Sequence, residues 1–271
     1  NVINIKDVFF HYSSMEKEVL SGLTLSVKRQ EILAINGTNG CGKSTLLSLI
    51  AGNYRPDRGR IRREKQLRIG YLPQDSKLLF TANTVGEELG LIRRHGTFEV
   101  AEQEISKEMI WKSIHFCRLE SVLTQHPYDL SGGEQQRLGL AKVLLAAPDV
   151  ILMDEPTKGM DAAFKKRFSH MMKKLKASGH TIVMVSHDIE FCAETADRIC
   201  LIFDGRVATV AGTNDYFSGN EFYTTAAARI AKETIRGAVT VEDILHAYGK
   251  TGAWDQPDDD IDDGIVWTDT G

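Results

Sequence analysis

The sequence predicts an α/β fold: a parallel sheet covered by helices, with an antiparallel β subdomain ahead of it and a helical subdomain inserted within it. Three observations carry this reading. Short continuous apolar runs at 32–35, 150–153, 181–185 and 199–203 suit strands buried on both faces. Most of them are separated by segments of helical apolar spacing, at 44–51, 161–177 and 189–196, which is the alternation of a parallel, doubly covered sheet. The α/β rhythm is then interrupted from about 75 to 145 by a helix-rich stretch, read as a subdomain of its own.

The elements follow in order. Residues 2–12 and 20–27 alternate apolar with polar and are rich in β-branched side chains, so they predict an antiparallel strand pair. Residues 32–35 feed a glycine-rich loop and then the helix over 44–51. Residues 69–72 form a further short strand, stopped by Pro73. From 84 to 123 the pattern is helical with sparse strand signals, and a helix over 133–146 ends before Pro148. Asp204 and Gly205, between 201–203 and 207–210, mark a hairpin. The expected organisation is 1–74 for the antiparallel subdomain and first part of the core, 75–145 for the helical subdomain and 146–215 for the rest of the core. A C-terminal extension over 216–253 and an acidic tail over 254–271, expected to be disordered, complete the chain.

Composition excludes several classes. At 271 residues, 42% hydrophobic and 26% charged, the chain has ordinary globular values. Its longest apolar runs fall far short of the ~18 residues that span a bilayer, so no direct lipid insertion is expected. The tail holds seven Asp and no Lys or Arg, leaving 33 basic against 30 acidic residues elsewhere, so no nucleic-acid partner is expected. The four cysteines at 41, 117, 192 and 200 form no Cys-x-x-Cys pair, which argues against zinc and disulfides and for a reduced cytoplasmic protein. The first residue is Asn1, not Met, which suggests a piece of something longer.

Two segments hold the chemistry. Gly37, Thr38, Asn39, Gly40, Cys41, Gly42, Lys43, Ser44 and Thr45 follow the buried strand and open a helix, as a phosphate-binding loop requires. The glycines let successive N–H groups converge on phosphate oxygens, and the helix N-terminus adds partial positive charge. Lys43 reaches the terminal phosphates, and the Ser44 hydroxyl suits Mg²⁺. The strand over 150–153 then delivers Asp154 to the metal shell and Glu155 just beyond, where a carboxylate can polarise an attacking water. A thiol at Cys41, beside Lys43 and a helix N-terminus, is expected to have a lowered pKa and to be alkylated unless a bound nucleoside triphosphate blocks it.

The second segment, Leu130, Ser131, Gly132, Gly133 and Glu134, followed by Gln135, Gln136 and Arg137, resembles the signature of the ATP-binding-cassette ATPases. The resemblance runs from Tyr12 to His187 and implies a P-loop NTPase with a RecA-like parallel-sheet core. It implies that Ser131, Gly132 and Gly133 close over ATP held by a partner cassette, and that Asp161 contacts that partner. Ser-Gly-Gly-Glu is also a good helix N-cap in its own right. Tyr12, 25 residues before Gly37, is similar to the aromatic that stacks on adenine. Gln74 resembles the glutamine linking Mg²⁺ and the attacking water to the helical subdomain, and His187 the switch histidine that senses the γ-phosphate. Gln30 stands where the family commonly has Gly.

Further stretches narrow the resemblance to the ATPases of energy-coupling-factor importers, and to the second half of tandem members. They include 157–161, 191–198, 201–205, 72–75 and 84–89, and 222–226 with 237–244. This implies an ATPase using ATP and Mg²⁺, paired with a second cassette (homodimer or tandem half) and docked on an integral-membrane subunit. It would sit in the cytoplasm, peripheral to the inner face of the membrane, and power import of vitamins or transition-metal ions. The alternative is a soluble cassette protein acting in translation or DNA repair.

Overall fold

The structure, a computed structural model, describes residues 1–13, 17–94, 97–100, 106–219, 224–231 and 238–247. Strands β1 (Ile3–Phe10) and β2 (Leu20–Val27) pair antiparallel, as their alternation predicts, with Ile5 opposite Leu25. A third strand joins them that the hydrophobic pattern did not predict. It pairs antiparallel with the other edge of β1, sets Ile61 opposite Ile5, and is named β4 (Arg58–Arg63) because β3 precedes it.

The large sheet has six strands. Chain order gives β3 (Ile32–Gly37), β5 (Ile69–Leu72), β8 (Val150–Asp154), β9 (Thr181–Val185), β10 (Arg198–Phe203) and β11 (Arg206–Gly212). Their spatial order is β11-β10-β3-β9-β8-β5, all parallel except the β10–β11 hairpin. Every residue of β3, β8 and β9 is buried, which is why these strands read as unbroken apolar runs. Asp204 and Gly205 take positive φ, 44° and 72°, as the tight turn between β10 and β11 needs.

One face of the sheet carries α1 (Lys43–Ala51) and the three-stranded sheet. Their shared core holds Leu46, Leu47, Leu49 and Ile50 with Leu23, Leu25, Leu152 and Val183. On the other face lie α4 (Gly132–Leu145), α5 (Ala162–Ala177) and α6 (Ile189–Thr195), sharing a second core with Ile151, Met153, Ile182 and Met184. Residues 84–123 contain α2 (Val85–Glu88) and α3 (Lys107–Phe116), but also an antiparallel pair, β6 (Leu91–Arg94) with β7 (Thr97–Val100). That pair corrects the expectation of a helical stretch with sparse strand signals. Residues 226–231, 241–247 and 213–219 form short helices, completing α7 (Thr213–Gly219), α8 (Ala226–Ala231) and α9 (Val241–Ala247). The acidic tail over 254–271, and parts of the stretches 222–226 and 237–244, lie outside the described residues.

Gln30, in the turn before β3, has φ 54°, in the left-handed region that glycine occupies freely. The departure noted in the sequence therefore falls at a turn where glycine costs least. Its backbone N–H donates to Thr181 Oγ1 at 2.9 Å, which holds the turn.

Candidate functional site

Four parallel strands end on one side of the sheet, and each delivers one predicted site element past its carboxyl end. β3 runs into the glycine loop, β8 ends at Asp154, β9 leads to His187 and β5 leads to Gln74. Open α/β sheets hold ligands in this crevice. A cleft of about 600 Å³ lies there, and Tyr12, Lys43, Ser44, Gln74, Asp154, Glu155 and His187 are among its walls. That volume falls within the usual range for a bound small molecule.

The loop before α1 is shaped by close approach. A Cβ on Gly37 would come 2.3 Å from the Ile202 carbonyl oxygen, and one on Gly42, at φ 101°, would come 2.5 Å from Leu20 Cδ2. Lys43 is buried and its ammonium donates to the carbonyls of Gly37 at 3.0 Å and Thr38 at 2.9 Å, so the loop is wrapped around its own lysine. The Tyr12 hydroxyl lies 3.0 Å from Thr45 Oγ1. Its ring meets Phe10 and Tyr54 edge-on, with centroids 5.0 and 5.5 Å away, so the aromatic at the cleft mouth is buttressed from two sides.

Asp154 is buried. Loss of solvent raises its carboxyl pKa, while a hydrogen bond from Ser44 and the charge of Lys43 pull the other way. One oxygen, Oδ1, has no hydrogen-bond partner. Glu155, next in the chain, has φ 50°, an uncommon conformation for a side-chain-bearing residue and one that recurs at functional sites. This turn aims its carboxylate at His187, whose Nε2 is 3.2 Å from Oε1 and whose backbone N–H donates to Oε2 at 3.3 Å. Burial raises the Glu155 pKa from its ordinary value, against the opposing pull of His187.

An unpartnered buried carboxylate oxygen beside a serine hydroxyl fits a hard divalent cation. Among the described residues no group of three or more His, Cys, Asp and Glu could hold a metal ion. A protein site of this kind suits Mg²⁺, which is held by one or two carboxylates together with substrate phosphates.

The raised Asp154 pKa has a consequence for stability. The folded chain holds the Asp154 proton more tightly than the unfolded chain does. This stabilising contribution is complete below the unfolded pKa and is lost as pH rises through the folded one. At neutral pH the ionised carboxylate is therefore a cost, so Asp154→Asn should raise the Tm of nucleotide- and metal-free protein at pH 7–8. The difference should shrink towards about pH 4, and thermal melts at the two pH values check it.

Cys41 corrects the sequence expectation. Its side chain points into the core beneath the loop, not into the cleft, and burial raises its pKa; the Lys43 charge opposes this but is the smaller effect. All four cysteines of the chain are buried. Alkylation of Cys41 in native protein at neutral pH should be slower than that of a small free thiol, with or without ATP. Peptide mass spectrometry after timed iodoacetamide treatment checks this.

The signature residues stand apart from the cleft. Ser131 caps α4 with a reciprocal capping box: Glu134 N–H donates to its Oγ at 3.4 Å, and Ser131 N–H donates to Glu134 Oε2 at 2.9 Å. A Cβ on Gly132 or Gly133 would meet nothing within 4 Å. Nothing in this chain crowds these two positions, so internal packing does not require glycine at either. Asp161 caps α5, accepting from Phe164 N–H at 2.7 Å, and it too is exposed outside the cleft. The capping box holds Ser131, Gly132 and Gly133 at a surface-facing helix start.

One residue was not singled out from the sequence. Gln136, buried in α4, bonds Ser76 and the backbone of Gln74, tying the helix to the cleft. The motif places Gln136 in the chain, but only the structure shows which way it points.

A phosphate loop at the carboxyl end of a central parallel strand, with a separate glycine-rich helix start, defines the class of ATP-hydrolysing cassettes. The family model described as ABC transporter matches residues 20–158, and the chain belongs to that family as an ABC ATPase cassette. The "Putative ABC transporter ATP-binding protein" of Bacillus thuringiensis is 37% identical over 262 residues, which is 91% of this chain and 46% of that protein. The energy-coupling factor transporter ATP-binding protein EcfA2 of Methanospirillum hungatei is 32% identical, covering 81% of this chain and 58% of that one. This chain thus spans about half the length of these curated relatives. Among solved structures, a dimeric ATP-binding cassette in a post-hydrolysis state, bound to ADP and Pi, superposes with TM-score 0.66 and 27% identity. It covers 78% of this chain and 98% of that chain. The cbiO1 protein of Clostridium perfringens shares the fold, with TM-score 0.71 at 22% identity, over 92% and 98% of the two chains.

Proposed function

We propose that this cassette is the nucleotide-binding subunit of a membrane importer, closing with a second cassette around two ATP molecules. The observation that carries the reading is the separation of two half-sites on one chain. The cleft holds phosphate-binding and carboxylate groups, while Gly132 and Gly133 face open space at a capped helix start.

Lys43 and the N–H groups from Gly37 to Thr45 bind the phosphates, exchanging the lysine's bonds to Gly37 and Thr38 for phosphate oxygens. Ser44 and Asp154, with Gln74, would hold Mg²⁺. When bound, that ion offsets the charge of the phosphates and screens the burial cost of Asp154. Glu155 orients and polarises the attacking water, and its raised pKa brings a carboxylate base nearer to neutrality. His187, after the neighbouring strand β9, holds that carboxylate in place and faces the γ-phosphate from the same side of the sheet. Tyr12 stacks on the adenine. Ser131, Gly132 and Gly133 donate N–H groups to the partner's ATP, and Asp161 contacts the partner.

The five-part division into antiparallel, helical and core segments, C-terminal extension and acidic tail fits this work. The core binds nucleotide and the helical part presents the signature. A groove of about 270 Å³ between α2 and α4, lined by Glu87, Leu89, Lys142 and Leu145, suits docking of the membrane subunit. The exposed Leu78 and Tyr128 stand on neighbouring segments. No helix among the described residues is long and apolar enough to cross a membrane; in this reading the solute pathway is assigned to another subunit. The likeness to EcfA2 supports a vitamin or transition-metal importer with the chain peripheral to the inner membrane face.

Fractionation in mild detergent tests this. The intact polypeptide is expected to co-sediment with membranes and to elute with an integral-membrane partner. Co-sedimentation with ribosomes instead would contradict it.

A further inference from the structure

The helix that starts at Ser131 also grips the loop that carries Gln74. Three residues of α4, spaced three apart, reach that loop. Gln136 is 5% exposed; its Oε1 accepts from Ser76 Oγ at 2.7 Å, and its Nε2 donates to the Gln74 carbonyl at 3.3 Å. Gly139 permits the approach, since a Cβ there would lie 2.7 Å from Leu72 Cδ1 and 3.1 Å from Ser76 Cβ. Lys142 donates to the Leu79 carbonyl and to the buried carboxylate of Glu88. The segment from Gln74 to Leu79 is thus tied to α4 near both of its ends.

Stability alone does not call for glutamine at 136. A buried amide must be fully hydrogen-bonded to offset its lost hydration, and an apolar side chain of similar volume would fill the space without that demand. What the amide adds is direction: its two ends fix a side-chain hydroxyl and one particular backbone carbonyl. That carbonyl belongs to Gln74, which lines the cleft.

We infer that Gln136 is a positioning residue, holding Gln74 over the cleft and locking it to the helix that presents Ser131, Gly132 and Gly133. The glutamine facing one nucleotide and the glycines offered to the other then move as one body. This rests on the reading above that the cleft hydrolyses ATP with Gln74 taking part.

The test is a double-mutant cycle on steady-state ATP hydrolysis in the 271-residue chain. Gln136→Met should lower kcat about 10–100-fold, the scale of a small misplacement, with KM for ATP held within about twofold. In a Gln74→Ala background the same change should cost less than about twofold, because the side chain being positioned is gone. Ser76→Ala, which removes one anchor of Gln136, should give a smaller kcat loss that also disappears in that background, and it decides the matter if Gln136→Met fails to fold. Additive losses, unchanged kcat, or a rise in KM alone would overturn the inference. Wild-type protein without ATPase activity, or activity untouched by Glu155→Gln, would instead contradict the proposed function.

Discussion

Glu155→Gln is expected to lower single-turnover hydrolysis by about 10²–10⁴-fold, the usual contribution of a positioned general base, while ATP affinity stays within a few fold. The amide keeps the shape and can still hydrogen-bond near His187, which lies 3.2 Å from the carboxylate, but it cannot accept a proton from water. In the proposed site phosphate binding rests on the loop and Lys43, and the substitution leaves the lysine's bonds to Gly37 and Thr38 untouched. Because ATP is then bound but not consumed, the paired form should accumulate, which light scattering with and without Mg-ATP would register. Hydrolysis at the wild-type rate would remove Glu155 from the mechanism.

Gly133→Asp is expected to abolish turnover, by about 10²-fold or more, without harming the fold or ATP binding by the mutated chain. A Cβ at 133 meets nothing within 4 Å, so the change is accommodated locally, and an acidic residue in the first turn favours the helix dipole of α4. The same carboxylate would oppose a partner's γ-phosphate at close range, where like charges are strongly unfavourable. Circular dichroism and ATP binding at wild-type levels, alongside lost turnover, would mark the effect as one of closure. If turnover were unaffected, the glycines would have no role beyond capping.

The buried strands and the helices beside them were legible because burial on both faces leaves β3, β8 and β9 mostly apolar, with one buried polar residue each in Asn36, Asp154 and Thr181. β4 was not. Five of its six residues are Arg or Gly and only Ile61 is apolar, so the strand is defined by its backbone pairing to β1 at the sheet edge. The β6–β7 pair escaped for a related reason, since two four-residue strands are too short for a period of two to stand out from a helical pattern. At the cleft, Lys43, Ser44, Gln74, Asp154, Glu155 and His187 meet because each follows a parallel strand or lies at the loop after one, a placement the strand pattern implies. Direction within an element was the missing information. Cys41 has the neighbours that lower a thiol pKa, yet its side chain points into the core and burial prevails. Gln136 lies inside a recognisable motif, but only packing decides that it faces Ser76 and Gln74.

The central claim is that a working site needs the loop of one cassette and the signature of another, and complementation tests it most directly. Lys43→Ala removes the lysine proposed to bind phosphate but leaves the signature intact; Gly133→Asp does the reverse. Each alone should be inactive. Mixed in equal amounts, they should recover roughly a quarter of wild-type ATPase activity, because half of the pairs are mixed and each mixed pair holds one intact composite site. A mixture no more active than its parents, together with a wild-type rate strictly proportional to protein concentration, would contradict the claim.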